Sequence, residues 1–183
     1  MSDALTEKDG PEQGGDSFSV VERRIEGTRR RLRGYPRDQA LLARLIAHVQ
    51  KRQNDLSNAV LKRFDLNYVT YTALMMMYGS EDQTSTPSEL SDATGEKPTN
   101  ITRISDELVQ RGLIERYPST SDRRRVVLRL TRQGERLVER FQPELWQTLE
   151  RMYGGMSAAN ARQLTALLRQ LLARLDQGGT EEH

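Results

Sequence analysis

The segment from Pro87 to Thr131 constrains what this chain of 183 residues can fold into more than any other segment. At its start, Thr86 and Glu89 lie three residues apart with Pro87 between them. This spacing is typical of a capping box with proline at the first helical position. Gly95 then supplies the turn that ends this short helix. The segment therefore begins with one helix whose two ends are both marked in the sequence.

A second helix is predicted from Pro98 to Gly112. Its apolar positions follow the i, i+3, i+7 spacing of an inward face, at Ile101, Ile104 and Leu108. Polar residues occupy the opposite and flanking faces, at Thr99, Asn100, Thr102, Arg103, Asp106 and Gln110. In a helix-turn-helix, the N-terminal residues of the second helix contact base edges. Arginine binds guanine, asparagine binds adenine and threonine packs on the thymine methyl, so DNA contacts are predicted for Thr99, Asn100, Thr102 and Arg103.

A β-hairpin is predicted after the second helix. Residues 113–117 and 126–130 read as strands, with the turn residues 118–122 between them. Period-two alternation predicts a buried face at Val126, Leu128 and Leu130. The tip carries three consecutive arginines, Arg123, Arg124 and Arg125. Two helices followed by an arginine-tipped hairpin indicate a winged helix-turn-helix, a structure that binds duplex DNA.

Positive charge is concentrated in the same region. Residues 97–136 contain ten basic and five acidic residues, whereas the whole chain has a net charge of only +2. A basic run alone is usually a solvated surface. Next to a helix-turn-helix pattern it favours contact with DNA phosphates.

These residues resemble the winged-helix core of the MarR family, the multiple-antibiotic-resistance regulators. The resemblance rests on Pro87-Ser88-Glu89-Leu90, Thr99-Asn100-Ile101-Thr102-Arg103, Leu108 with Arg111-Gly112, and Ser121-Asp122-Arg123-Arg124 leading to Leu130-Thr131 and Gly134. It covers about residues 38–176 and is greatest toward the branch that represses multidrug efflux pumps. By this resemblance, Asp122 braces Arg124, which reaches into the minor groove. Lys97-Pro98 departs from the Ser or Thr cap that relatives often carry.

The remaining chain divides into a leader, a basic segment and long helices. Residues 1–17 are rich in glycine and acidic residues, and their low apolar content predicts a disordered leader. Residues 18–37 include seven arginines and predict a short helix or a basic arm, either a solvated linker or a contact to DNA phosphates. The predicted MarR-type domain covers 38–177, with the winged helix at about 67–131 and dimerisation helices at 38–63 and 131–177. Residues 178–183 form a tail.

The terminal helices carry more apolar surface than one winged helix can cover. The last helix, with Ser157 as its cap, has heptad-like spacing at Leu164, Leu168, Leu171 and Leu175. Pro143 predicts a kink or restart in the helix before it. An amphipathic helix must bury its stripe, either in an intrachain bundle or in a homodimer that reads a palindromic operator. With the resemblance favouring the dimer, the predicted fold class is mainly α with a small β-hairpin wing, a winged helix-turn-helix plus N- and C-terminal dimerisation helices.

A helix predicted from Asn67 to Tyr78 is rich in tyrosine and methionine. Such side chains line promiscuous apolar sites, although a stripe of this kind is more often core. The resemblance implies that a small aromatic or amphipathic effector binds between the dimer helices and the winged helix. The candidate ligand-binding residues are His48, Tyr68, Tyr71 and Met75, with His48 either a polar anchor or a satisfied core or interface histidine.

Several function classes are disfavoured. The sequence contains no Walker loop, no glycine fingerprint after a strand and no His-Glu-x-x-His pair, so no enzyme activity and no cofactor are expected. Zero cysteines exclude disulfides and thiolate metal sites, and no metal site is expected. Without an apolar run of ~20 residues or a signal peptide, we expect a cytoplasmic protein with no membrane partner.

These patterns together predict a ligand-responsive DNA-binding transcriptional regulator. It is expected to repress efflux or aromatic-catabolism genes, and a small aromatic compound is expected to release it from a palindromic operator. The alternative is a winged helix that serves as a protein-interaction module without specific DNA recognition.

Overall fold

The computed structural model describes residues 16–118 and 126–178. Their elements in chain order are α1 (Ser19–Arg31), α2 (Arg37–Leu61), α3 (Tyr68–Tyr78), β1 (Thr84–Ser85), α4 (Pro87–Thr94), α5 (Pro98–Gln110), β2 (Ile114–Pro118), β3 (Val126–Leu130), α6 (Arg132–Tyr153) and α7 (Ala158–Gly178). A short 3-10 turn, Lys62–Phe64, joins α2 to α3. The predicted fold class, mainly α with a small β-hairpin, is confirmed. Most of the predicted leader and the predicted tail lie outside the described residues.

The chain divides into two compact units, Met1–Asp55 and Leu56–His183, with the boundary inside α2. The predicted boundary between residues 37 and 38 stays a prediction. In the first unit, the segment predicted as a helix or an arm contains α1, whose Ile25 is buried together with the preceding Phe18. Arg37 at the start of α2 lies within 4.0 Å of carboxylates of Glu22 and Glu26. Apolar burial and ion pairs therefore hold α1 in place.

In the second unit, the helix ends are set by the residues that the sequence marked. Thr86 Oγ1 accepts a hydrogen bond from Glu89 N at 3.2 Å, and Glu89 Oε2 accepts one from Thr86 N at 2.7 Å. This is the predicted capping box of α4. Gly95 ends α4 with φ 70°, and Gly112 follows the end of α5 with φ 68°. A positive φ is accessible to glycine at little cost, so both turns are defined locally.

The sheet is antiparallel, with the strand order β1-β3-β2. The sequence predicted only β2 and β3, because β1 is two residues long and too short to show alternation. Pro118, which was assigned to the turn, pairs with Val126 at the end of β2. Leu128 and Leu130 are buried as predicted, but the prediction is wrong at Val126, which is 42% exposed. Val126 belongs to the last pair before the hairpin tip, beyond the reach of the core.

The core lies between α3, α4, α5, α6 and the sheet. Phe141 of α6 is fully buried, and its ring contacts those of Phe64 and Tyr71 edge-on, with centroids 6.0 and 5.7 Å away. Thr131 caps α6 by accepting a hydrogen bond from Gly134 N at 3.0 Å. The helix continues through Pro143 without a restart, and the kink, the other predicted alternative, stays a prediction.

α7 begins as predicted, with Ser157 Oγ accepting a hydrogen bond from Asn160 N at 3.1 Å. None of its residues is buried. Its leucines are 43–64% exposed at Leu164, Leu167, Leu168, Leu172 and Leu175. The apolar stripe of this helix therefore has no partner within the described chain. Among the described residues, no helix combines the length and the apolar character that crossing a membrane requires.

Candidate nucleic-acid interface

α5 buries its apolar face and turns its polar face to solvent. Ile101, Ile104 and Leu108 are at most 2% exposed. Thr99, Thr102 and Arg103 are exposed, and Asn100 is half-buried. The structure therefore places the four predicted base-reading residues on one accessible surface, in the N-terminal half of this helix.

The turn between α4 and α5 is fixed by side chains of α4. Ser91 Oγ donates a hydrogen bond to the carbonyl of Glu96 at 2.6 Å. Thr94 Oγ1 accepts one from Glu96 N at 3.3 Å. Lys97 is the N-cap of α5 and makes no side-chain cap hydrogen bond. Pro98 follows it. Because proline has no backbone N–H, the start of α5 has one fewer unpaired donor.

A line of polar contacts runs along α5. Asn100 Nδ2 donates to Glu96 Oε2 at 2.6 Å, and Arg103 Nε donates to Asn100 Oδ1 at 3.0 Å. Arg103 Nη1 also lies 3.6 Å from Glu107 Oε2. The sequence interpretation missed Glu96 and Glu107. For Glu107 the i, i+4 spacing from Arg103 within the helix was the available signal, whereas Glu96 precedes the helix and helical spacing does not indicate its contact.

A second contact connects α5 to the hairpin. Asp106, on the polar face of α5, pairs with Arg116 of β2 at 2.5 Å. On the hairpin itself, Arg129 lies over the ring of Tyr117 at 5.1 Å. The hydroxyl of Tyr117 donates to Glu115, which raises the pKa of Tyr117. Because Asp106 and Arg116 belong to different elements, helical spacing gives no sign of their pairing.

The hairpin tip lies outside the described residues. It contains Asp122, Arg123, Arg124 and Arg125, and the roles assigned to them stay predictions. β2 and β3 pair up to Pro118 and Val126, so the strands lead directly to this basic tip.

Of the three predicted ligand residues of α3, Tyr71 and Met75 pack against the core, whereas Tyr68 is exposed. The rings of Tyr68 and Tyr71 are 5.8 Å apart, and Met75 Sδ accepts a hydrogen bond from Gln142 Nε2 at 3.0 Å. Burial, and then the neighbouring Tyr68, raises the pKa of Tyr71 above its ordinary value.

His48, the fourth predicted ligand residue, belongs to the first unit. Its Nε2 lies 2.8 Å from Ser17 Oγ, and its ring is 5.4 Å from that of Phe18. His48 thus has local partners at the N-terminal end of α1.

The described residues of the second unit line two surface grooves, of which neither includes the predicted ligand residues. One of about 470 Å³ is lined by Val60, Arg63, Glu144, Gln147, Glu150 and Arg151. The other, of about 410 Å³, is basic and includes Arg63, Phe64, Asp65, Arg111, Arg136 and Arg140. In this basic groove, Arg140 lies 6.0 Å from the ring centroid of Phe64, and Arg111 donates to the carbonyls of Phe64 and Asp65. The groove combines cationic groups with an aromatic ring.

Comparison with known proteins adds independent findings. Residues 66–126 match the family profile described as the MarR family. Over 161 residues the chain is 36% identical to the transcriptional repressor MprA of Escherichia coli K12, covering 88% of this chain and 92% of that protein. It is 28% identical to the HTH-type transcriptional regulator PrsX of Escherichia coli, covering 88% and 97%. A mutant of Escherichia coli MarR, crystallised with operator DNA, superposes with a TM-score of 0.64 at 26% identity, covering 72% of this chain and 93% of that one.

Proposed function

Because the chain belongs to the MarR family of transcriptional regulators, we propose that it is a repressor that binds a specific DNA operator as a homodimer. A small aromatic compound releases it. The family and its members are regulators, and the chain is not an enzyme. The polar surface of α5 carries the proposal, because it presents threonine, asparagine and arginine side chains to solvent beside a hairpin that leads to three arginines.

In this proposal, α5 lies in the major groove and the hairpin in the adjacent minor groove. Arg103 and the two threonines contact base edges. Arg124 at the hairpin tip enters the narrow, electronegative minor groove, and Arg123 and Arg125 neutralise phosphates. The MarR mutant with operator DNA supports the arrangement, since its fold matches this chain at 26% identity.

Dimerisation is supported by the exposed apolar stripe of α7. Five leucines that are 43–64% exposed form a surface that favours burial. A second copy of the chain offers the same stripe, and an interface of this kind is symmetric. Two protomers then read two half-sites of a palindrome about one helical turn, ~34–36 Å, apart. Such a regulator acts in the cytoplasm on efflux or aromatic-catabolism genes, as the resemblance to multidrug-efflux repressors suggests.

A gel shift with DNA from upstream of the protein's own gene tests the proposal. We expect wild type to shift this fragment in the presence of excess nonspecific DNA. Arg124→Ala should nearly abolish the shift and leave the circular dichroism spectrum unchanged, because three consecutive arginines are not expected in an apolar core. A wild-type protein that binds no fragment more tightly than random DNA would instead support the rival function, a protein-interaction module.

The effector site is tested separately. Apolar walls favour an aromatic ring by roughly 25 cal/mol per Å² buried, and a few polar groups orient it. The wall of Tyr68, Tyr71 and Met75 and the basic groove beside Arg140 are the two candidate locations. Arg140 makes the second location suitable for a weakly anionic compound.

Thermal melts and gel shifts with a panel of aromatic acids and uncharged aromatics distinguish these locations. If α3 forms the site, Met75→Trp should blunt the release from DNA while operator affinity stays within about twofold of wild type. If the basic groove is the site, Arg140→Ala should abolish the response instead. Met75→Trp in a packed core would cost about 1–3 kcal/mol of stability. A panel that neither raises the melting temperature nor releases DNA contradicts an aromatic effector.

A further inference from the structure

Glu96, Asn100 and Arg103 form a hydrogen-bonded relay at the N-terminal end of α5. We propose that Asn100 does not read a base itself, but that Glu96 and Asn100 are positioning residues that present Arg103 to a guanine. This inference rests on the proposed DNA-binding function and goes beyond it, because it assigns the specificity of the helix to one arginine. It replaces the prediction that Asn100 binds adenine.

The chemistry of the partners fixes the orientation of the Asn100 amide. A carboxylate only accepts hydrogen bonds and a guanidinium only donates them. The amide nitrogen must therefore face Glu96, at 2.6 Å, and the amide oxygen must face Arg103 Nε, at 3.0 Å. If the amide were flipped, its oxygen would face the Glu96 carboxylate and its nitrogen would face the Arg103 guanidinium. Two acceptors would then meet at one end and two donors at the other. The relay thus has one direction, from carboxylate through amide to guanidinium.

The first member of the relay is held by the turn between the two helices. Ser91 Oγ and Thr94 Oγ1 bind the carbonyl and the N–H of Glu96. Glu96 precedes the N-cap Lys97, and its carboxylate accepts from Asn100 in the first turn of α5. Arg103 follows Asn100 by three residues, so these two side chains lie along one side of the helix. Glu96 and Asn100 are half-buried, whereas the side chain of Arg103 is 64% exposed. The exposed end of the relay is the guanidinium.

The relay leaves Arg103 free to read and Asn100 occupied. Asparagine recognises adenine with both ends of its amide, and both ends of Asn100 are already bonded. The two bonds set the plane of the Asn100 amide toward Glu96 and Arg103, which are its own neighbours along the chain, and not toward a base. Arg103 uses only Nε in the relay, so its two terminal nitrogens remain for guanine O6 and N7. Glu107 lies 3.6 Å from Nη1, which is too distant for a hydrogen bond, so Nη1 can donate to guanine instead.

Base preferences of the variants test the relay. Wild-type protein and variants select from a library of operators randomised at each half-site position. Arg103→Ala should reduce discrimination at one guanine by roughly 5- to 150-fold, the value of a bidentate contact. Asn100→Ala and Glu96→Ala should each reduce discrimination at that same position by about fivefold, the equivalent of one net hydrogen bond. Glu96→Gln keeps an acceptor for Asn100 and should restore most of the preference.

The controls separate positioning from general electrostatics. Glu81→Gln removes one exposed carboxylate from a turn outside the relay, and should leave the profile of base preferences unchanged. Glu96→Ala also removes a charge, but that effect raises affinity for all sequences alike and does not alter the profile. Loss of an adenine preference at a different position in Asn100→Ala, with the guanine position unaffected, would overturn the inference.

A measurement without DNA keeps the relay distinguishable from the proposed function. The Nε–H resonance of Arg103 in the free protein should shift in Asn100→Ala and Glu96→Ala, and return toward wild type in Glu96→Gln. If wild type binds no DNA specifically, the proposed function fails, while this resonance still reports whether the relay exists. An Arg103 Nε–H signal identical in wild type and Asn100→Ala disproves the relay.

Discussion

Gly134 shows how a single residue sets the distance between α6 and the sheet. A Cβ at this position would lie 2.3 Å from the carbonyl oxygen of Leu113 and 2.7 Å from a methyl carbon of Leu130. Glycine is otherwise unfavourable inside a helix by about 1 kcal/mol relative to alanine. The absence of a side chain is therefore required by close packing, because α6 begins directly over β2 and β3.

Gly134→Ala should destabilise the protein in spite of the better helix propensity of alanine. Overpacking costs about 1–3 kcal/mol, and here the contacted atom is a backbone oxygen that no rotamer change can move away. Gly155→Ala is the matched control, since a Cβ at that position meets nothing within 4 Å. Urea unfolding of the two variants gives the comparison. Equal midpoints for both variants would show that α6 does not approach the sheet this closely.

At the scale of elements, the sequence predicted what local chemistry determines. Residues that mark helix ends, such as Thr86 and Gly95, act on their immediate neighbours, so α4 could be delimited in advance. β1 could not, because its two residues form a strand by pairing with β3, more than forty positions away. The same limit applies to the candidate site: a surface of α5 was predictable, but the pairing of Asp106 with Arg116 depends on how the hairpin folds back.

Because of the capping box of α4, the stability of the folded protein depends measurably on pH. Hydrogen bonds from the backbone N–H of Thr86, and then from the hydroxyl of Ser85, lower the pKa of Glu89 below its ordinary value of 4.5. A carboxyl whose pKa is lowered by folding stabilises the protein above the unfolded value, and the contribution disappears as pH falls through the folded value.

Glu89→Gln should therefore be less stable than wild type at pH 7 by about 0.3–1 kcal/mol, the range for a charge at an exposed helix N-terminus. This difference should shrink below pH 4.5 and vanish once Glu89 is protonated in the folded protein. Ser85→Ala removes one of the two donors, so it should give a smaller change of the same sign in that pH range. Thermal melts from pH 7 to pH 3 measure both variants. A difference that is constant over this range contradicts a role for the charge.

At the scale of the whole molecule, exposed apolar surface requires an explanation that one protomer does not provide. Besides the leucines of α7, Trp146 and Leu149 of α6 are 62% and 44% exposed. The two C-terminal helices thus carry an apolar surface in addition to the closed core of the winged helix. Our proposal that a second copy covers it connects the fold to operator recognition, because only a dimer presents two α5 helices to a palindrome.

Replacing Leu168 and Leu175 by glutamate tests that connection. Both side chains are exposed in the protomer, at 44% and 64%, so the substitutions should change its own stability by less than about 0.5 kcal/mol each. Charges placed in an apolar interface would instead prevent association. Sedimentation should show a monomer for the double variant and a dimer for the control Gln170→Glu, which adds one charge to an exposed position of the same helix.

The monomer should still bind a single half-site, but it should lose about 10²- to 10⁴-fold in affinity for the full palindrome, because the second contact is no longer intramolecular. A double variant that sediments as a dimer and binds the palindrome like wild type would show that α7 does not form the interface. The dimer that recognises the two half-sites would then have to form through another surface. Monomeric protein that retains full affinity would show instead that one protomer suffices for the operator.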